Sequence, residues 1–252
     1  MDLPQQIIHG NSAHMAELAD ASADLILTGP PYFPNVVENQ LRSGVTETDD
    51  LDVLELAIQT YAWSLRTVFE ECNRILRPGG KIIIQTRDVR LRHILVGVEG
   101  IHRQILESVG INLFAKHIWR PTFVNLARRR ISATLKEFGP MPFDPEVFLV
   151  FLKPGNNYSG NPSQEDIDLL NSDVMVTPPG VLESPHRFQA PLPVIRSLVR
   201  SHSNENDLVV DPFAGGGTIL LAAKQLKRRC IGYEIDSEMI KLAKINLNSN
   251  DI

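Results

Sequence analysis

Two short stretches of this sequence combine residue types and spacings that could do chemistry. The first runs from Asp207 to Asp236. An apolar run ends at Val210, passes through Asp211-Pro212-Phe213-Ala214 into Gly215-Gly216-Gly217, and a helical pattern opens at Thr218. Glycines let a backbone turn tightly and approach a ligand closely, and a helix N-terminus offers N–H groups with no partner of their own. Glu234 closes the next apolar run, 19 positions after Gly215. From there a carboxylate suits a ribose hydroxyl pair. The glycines do not form GxGxxG and no Lys-Ser/Thr follows them, so the phosphate-binding parts are missing. The arrangement fits an adenosyl ligand without a pyrophosphate, and S-adenosylmethionine is the candidate.

The second stretch is Thr28-Gly29-Pro30-Pro31-Tyr32-Phe33, directly after the apolar run ADLIL. Two prolines fix the backbone and leave carbonyls without neighbouring N–H donors. An aromatic directly after them can stack on a planar ligand. Such a site suits reaction at an exocyclic amine, whose lone pair is delocalised into its ring. Carbonyl acceptors draw the nitrogen towards tetrahedral geometry and stabilise the charge that develops on it. A base in a duplex must first flip out of its stack to reach such a pocket.

Both stretches end strands, and the intervening pattern says what positions them. Strands are expected at Ala23–Leu27, Lys81–Gln85, Glu146–Leu152, Leu208–Val210 and Cys230–Tyr233, with Asn112–Trp119 weaker. Near-continuous apolarity in ADLIL and KIII fits strands covered on both faces, as in a parallel sheet. Leu54, Ile58, Tyr61, Leu65, Val68, Phe69 and Leu76 follow helical spacing until Pro78-Gly79-Gly80, and Trp63 is expected in the core with them. Further helices are expected at Thr218–Leu226 and Glu238–Leu247. Alternation of strand and helix predicts an α/β doubly wound fold. Pro34–Asp50 and Lys153–Arg187 read as long loops, either lids or partner-facing segments.

With 252 residues, 43% hydrophobic and 22% charged, the chain suits one large α/β domain with ample core. Cys72 and Cys230 lack disulfide or zinc spacing, which points to a reducing, cytoplasmic setting. His9, His14, His93, His102, His117 and His202 show no ligand spacing, so no metal is expected. The opening residues lack a basic stretch followed by an apolar run, so no signal peptide is expected. No apolar stretch approaches the ~20 residues that span a bilayer, so no membrane association is expected either. The net charge of −5 conceals a basic block. Arg87–Lys136 holds ten basic residues, among them Arg87, Arg90, Arg120, Arg128, Arg129 and Arg130, against three acids, for a net +7 between acidic flanks. That is the footprint of a polyanion-binding face.

Taken together, the motifs resemble the amino-DNA methyltransferases that modify cytosine N4 or adenine N6, in their circularly permuted beta arrangement. There the Pro-Pro-Tyr motif precedes the cofactor motif, as TGPPY precedes DPFAGGGT here. The resemblance implies a Rossmann-like S-adenosylmethionine-dependent methyltransferase fold across residues 1–252, a mostly parallel seven-stranded sheet with helices on both faces. It implies cofactor contacts from Asn11, His186, Phe188, Asp211, Pro212, Phe213, Gly215, Gly217, Thr218 and Glu234. Asn11 stands where Asp is usual, at the end of the strand-like Ile8-His9-Gly10-Asn11, and Leu192–Val199 is implied as a helix. Thr28, Gly29, Pro30, Pro31 and Tyr32 would form the catalytic corner. The family carries Asp, Asn or Ser immediately before Pro-Pro-Tyr, where this chain has Gly29. The side chain that accepts one amine hydrogen is thus missing, leaving the Pro30 carbonyl alone or helped by Thr28 or a water.

Thr28 and Phe33 are more similar to the cytosine-N4 pattern, with adenine N6 as the alternative. Gly29 keeps open a non-catalytic nucleic-acid-binding subunit of methyltransferase fold. A target-recognition region would occupy about 87–185, binding double-stranded DNA with the arginines. A homodimer would enlarge that small surface, and restriction-modification is the setting in which such enzymes act.

Overall fold

The computed structural model describes residues 5–41, 50–91, 94–120, 145–156, 158–172, 174–176 and 190–248. In chain order its elements are β1 (Gln5–His9), β2 (Ala23–Thr28), α1 (Phe33–Leu41), α2 (Leu51–Ile75), β3 (Leu76–Thr86), β4 (Val89–Leu91), β5 (Ile94–Val96) and α3 (Val98–Ser108). There follow β6 (Asn112–Arg120), β7 (Glu146–Leu152), α4 (Gln164–Leu170), β8 (Met175–Val176), α5 (Leu192–His202), β9 (Leu208–Asp211), α6 (Thr218–Gln225), β10 (Arg229–Glu234) and α7 (Ser237–Asn248).

One sheet runs in the order β1-β10-β9-β2-β3-β7-β6-β8. Seven of its strands have four or more residues, and β8 adds a two-residue edge. From β1 through β3 every pairing is parallel, and β7 then runs antiparallel to β3 and to β6. The expected α/β sheet, mostly parallel and covered on both faces, is therefore present. β4 and β5 form a separate small hairpin.

Side-chain alternation splits the sheet between two apolar layers. In β3, Ile82 and Ile84 face the layer of α1, α2 and α3, whereas Ile83 faces the layer of α4, α5 and α6. β7 divides likewise, Val147, Leu149 and Phe151 against Phe148 and Val150. α2 starts on Asp50, whose carboxylate accepts from the N–H groups of Asp52 and Val53. It buries a stripe of Leu54, Ala57, Tyr61, Leu65, Val68, Phe69, Cys72 and Ile75.

The central strands β9 and β2 lie side by side. The connection from β2 to β3 runs through α1 and α2 on one face. That from β9 to β10 runs through α6 on the other. This is a topological switch point, where the strand ends splay open a ligand crevice.

The structure corrects four expectations. Pro34–Asp50 is not loop throughout, because α1 occupies Phe33–Leu41. Within Lys153–Arg187 stand α4, with a Ser163/Asp166 capping box, and β8. Leu76 belongs to β3 and not to the preceding helix, and Arg77-Pro78-Gly79-Gly80 continue that strand. Trp63 is 77% exposed. It lies two positions from both Tyr61 and Leu65, about 200° around the helix from each, and so faces away from the buried stripe. β1 and the β4–β5 hairpin are not legible from periodicity, whereas α3 carries helical spacing in Val98, His102, Ile105 and Leu106 that the Gly100 within it obscures.

We expect Phe69→Ala to cost about 3–5 kcal/mol in urea unfolding, because it empties a fully buried position. Trp63→Ala should stay within about 0.5 kcal/mol of wild type in the same assay.

Candidate active site

A cleft of about 520 Å³ opens at the C-terminal ends of the parallel strands. Its lining brings together the two stretches that the sequence singled out: Gly29, Pro31 and Tyr32 from one, and Asp211, Pro212, Phe213, Gly215, Gly216, Thr218 and Glu234 from the other. Gly10, Asn11 and Ser12 close one end, and Ala190 and Ile195 contribute from the start of α5. The expected helix at Leu192–Val199 is present within α5. Pro30 is buried beneath the wall. His186 and Phe188 lie outside the described residues.

The glycine turn behaves as expected. Gly215 has φ +48° with no atom within 4 Å of a Cβ built there. Gly217 has φ +80°, and a Cβ on it would come within 2.9 Å of Ala243 Cβ. Both conformations favour glycine. Glu234 holds the turn in place. Its Oε2 accepts from Gly215 N at 2.8 Å, and its Oε1 accepts from the N–H groups of Ile235 and Asp236 at 2.8 and 2.9 Å. A carboxylate has about four acceptor positions, so a ligand hydroxyl can still be engaged. Gly10 N donates to Glu234 O at 3.0 Å, which sets Asn11 beside the cleft. Asn11 Oδ1 accepts from Ala13 N at 2.9 Å, which leaves Nδ2 and one further acceptor position of Oδ1 for a ligand.

The two stretches are joined directly. Thr28 Oγ1 donates to Asp211 Oδ1 at 2.7 Å, and Phe213 N donates to the same oxygen at 3.1 Å. Thr28 is fully buried and does not line the cleft, so it acts on Asp211 and not on a substrate. Asp211 is 1% exposed. Burial pushes its carboxyl up to about 7, against the opposing effect of the Thr28 and Phe213 hydrogen bonds.

The Pro-Pro-Tyr corner is held from α2. Tyr61 Oη donates to Pro31 O at 3.0 Å and lies 3.0 Å from His102 Nε2. With the phenol proton on Pro31, His102 must donate from Nε2. This leaves Nδ1 as a bare acceptor, which matches its lack of a partner among the described residues. Burial lowers the His102 pKa to about 3, so the ring stays neutral. Phe33 packs edge-on against Tyr61, with ring centroids 5.2 Å apart.

Tyr32 is flanked by two charges. The Arg87 guanidinium lies over its ring, 5.2 Å from the centroid, and the Glu146 carboxylate lies beside its hydroxyl. Burial and Glu146 together push the phenol pKa well above its ordinary value. Gln85 Nε2 donates to Glu146 Oε2, and burial raises the Glu146 pKa. Sequence reasoning missed Gln85 and Glu146. Each is a polar residue at the end of an otherwise apolar strand, the signal that could have found them.

The basic block is less uniform than its charge suggested. Arg103 pairs with Glu107 and Lys116 with Glu99, so the segment's own acids neutralise part of it. Arg87 packs on Tyr32, Arg90 lies in the β4–β5 hairpin, and Arg120 is exposed at the end of β6. Arg128, Arg129 and Arg130 lie outside the described residues.

The family model for N6/N4 DNA methylases matches residues 23–245, and the chain belongs to that DNA methylase family. It is similar to the type II methyltransferase M.HpaI of Haemophilus parainfluenzae, at 28% identity over 273 residues, covering 98% of this chain and 75% of the relative. Its fold is similar to that of TTHA0409 from Thermus thermophilus, solved in complex with S-adenosyl-L-methionine. The TM-score is 0.70 at 24% identity, over 96% of this chain and 93% of that one. It is also similar to that of PvuII DNA methyltransferase, described as cytosine-N4-specific, with a TM-score of 0.74 at 16% identity over 98% and 87% of the two chains.

Thr28→Val should destabilise the protein by about 1–3 kcal/mol, because it leaves the buried Asp211 carboxyl one hydrogen bond short. Chemical denaturation near neutral pH measures this.

Proposed function

We propose that this chain is an S-adenosylmethionine-dependent DNA methyltransferase that modifies an exocyclic base amine, cytosine N4 ahead of adenine N6. One observation carries the reading. Among the described residues that line the cleft, Asp211 and Glu234 are carboxylates and none is lysine or arginine. A nucleotide with phosphates would meet two acidic side chains and no cation there. A sulfonium-bearing adenosyl ligand meets the charge it needs. S-adenosylmethionine supplies an electrophilic methyl group.

Glu234 would take the ribose hydroxyls, and Asn11 would donate to the adenine. Asp211, Pro212, Phe213, Gly215, Gly217 and Thr218 would form the wall around the rest, and His186 and Phe188 would close it. Tyr32 would stack on the flipped base, with Gly29, Pro30 and Pro31 holding its amine edge and Thr28 fixing Asp211 behind them. The chain order, Pro-Pro-Tyr before the glycine turn, supports the circularly permuted beta class. The cytosine preference rests on Thr28 and Phe33 flanking the motif.

Within 87–185, β6, β7 and β8 belong to the sheet. Recognition of double-stranded DNA is therefore assigned to the β4–β5 hairpin with Arg87 and Arg90, to Arg120, and to Arg128–Arg130. We assign a single methyltransferase domain to 1–252, working in the cytoplasm, with a homodimer enlarging the DNA-binding surface. No helix among the described residues is long and apolar enough to cross a membrane, and no cluster of metal-ligating side chains occurs among them. Gly29 favours the rival reading of a non-catalytic DNA-binding subunit.

Incubation of mixed-sequence DNA with the protein and labelled cofactor, followed by nucleoside mass spectrometry, decides between them. N4-methylcytosine is expected. N6-methyladenine would overturn the base preference, and absence of both would favour the non-catalytic subunit.

Cofactor affinity should also depend on pH. The Asp211 carboxyl gains its charge as pH rises through about 7, and a cationic ligand favours the charged form. Affinity measured by titration calorimetry should rise about three- to tenfold from about pH 6 to pH 8, and Asp211→Asn should flatten that rise. Stability of the protein alone runs the other way. The folded state holds this proton above the ordinary carboxylate range, so the contribution of Asp211 declines as pH rises from about 4 to about 7.

A further inference from the structure

Neither backbone nor packing requires glycine at position 29. Its φ is not in the left-handed region, and among the described residues a Cβ built there would meet nothing nearer than Gln85 Cβ at 4.0 Å. What position 29 lacks is therefore a polar group, with room left for one. The side chain beside that room is Gln85. Thr28 pairs with Ile84 across β2 and β3, which sets Gln85 level with Gly29. Gln85 lines the cleft together with Gly29, Pro31 and Tyr32.

The carboxamide of Gln85 is oriented from behind. Its Nε2 donates to Glu146 Oε2, and Glu146 is 1% exposed at the start of the neighbouring strand β7. A planar amide whose nitrogen faces a carboxylate turns its oxygen to the other edge. The same carboxylate lies beside the Tyr32 hydroxyl. One buried acid therefore aligns both the stacking ring and the neighbouring amide.

We propose that Gln85 is a catalytic residue whose Oε1 accepts a hydrogen of the target amine in place of the side chain absent at Gly29, with Glu146 as its positioning residue. The proposal rests on the methyltransferase reading given above. In the step it serves, the amine lone pair forms the new N–C bond while the C–S bond breaks and leaves its electron pair on sulfur. The nitrogen becomes positive, and an acceptor already bonded to its N–H stabilises that charge. A neutral carboxamide does not retain the proton, which passes to water at the exposed edge of Gly29. The products are a methylated amine, a neutral thioether and a solvated proton.

The test is single-turnover methylation of mixed-sequence DNA at saturating S-adenosylmethionine, with the full chain. Gln85→Ala and the isosteric Gln85→Met should each slow methyl transfer about 10²-fold. Their cofactor affinity should stay near wild type, and their thermal unfolding should fall modestly, because the buried Glu146 carboxyl loses a donor. Adding Gly29→Ser or Gly29→Asp to Gln85→Ala should recover at least tenfold, because the acceptor returns from the neighbouring strand. With Gln85 present the same Gly29 substitutions should add less than threefold, whereas beside a merely structural Gln85 they would raise both backgrounds equally. Glu146→Gln should lower the transfer rate and leave cofactor affinity unchanged. Gln85 variants within threefold of wild type overturn the assignment, as does a slow Gln85→Ala that neither Gly29 substitution rescues. A wild type that binds cofactor and methylates no DNA overturns the methyltransferase reading itself. An active wild type indifferent to Gln85 overturns this assignment alone.

Discussion

A single hydrogen bond, Thr28 Oγ1 to Asp211 Oδ1, joins residues 183 positions apart and ties the two halves of the cleft together. Each residue ends a strand, and those strands are neighbours at the centre of the sheet. The bond sits where a ligand wall and a substrate wall must meet at fixed distance. Buried as it is, it cannot be exchanged for bonds to water, so its loss leaves an unsatisfied group in a low-dielectric setting. The rest of the site is built outward from this join. Phe213 N shares the same oxygen and starts the glycine turn. Glu234 then fixes that turn from the next strand. On the other side Tyr61 and His102 hold Pro31.

Charge is partitioned by depth. Acidic side chains occupy the cleft, and Arg87 stands outside its lining, over the ring of Tyr32. Tyr32 sits at the boundary, with Arg87 over its face and Glu146 at its hydroxyl. The ring is thereby held from two sides before any base arrives, and preorganisation of this kind lowers the cost of ordering a stacking partner. The overall charge of −5 averages over this arrangement and says little about it.

Much of the site was legible because its chemistry is local in sequence. Glycines with positive φ, a Pro-Pro pair and an acid closing a strand each signal through their own residue type. β2, β7 and β9 were legible because strands buried on both faces are near-continuously apolar. What escaped depends on partners distant in sequence. Thr28 reads as a possible substrate ligand until Asp211 appears beside it. Gln85 and Glu146 gain meaning only because β3 and β7 are adjacent. Trp63 reads as core from hydrophobicity alone, but the angle between it and the buried stripe of α2 places it outside. The strands of the β4–β5 hairpin are too short for periodicity to show, whereas α3 does carry helical spacing in Val98, His102, Ile105 and Leu106, with Gly100 the residue that argues against a helix there.

The two carboxylates in a cleft without cations also bear on what happens after transfer. A sulfonium donor arrives carrying a positive charge, and the thioether that remains has none. The attraction that drew the donor in therefore disappears in the same step that consumes it, while the shape and the hydrogen bonds stay as they were. Spent cofactor is held by packing and hydrogen bonds alone. Loss of that attraction would loosen the product without any moving part, and a phosphorylated nucleotide would meet acidic side chains with no cation to offset them.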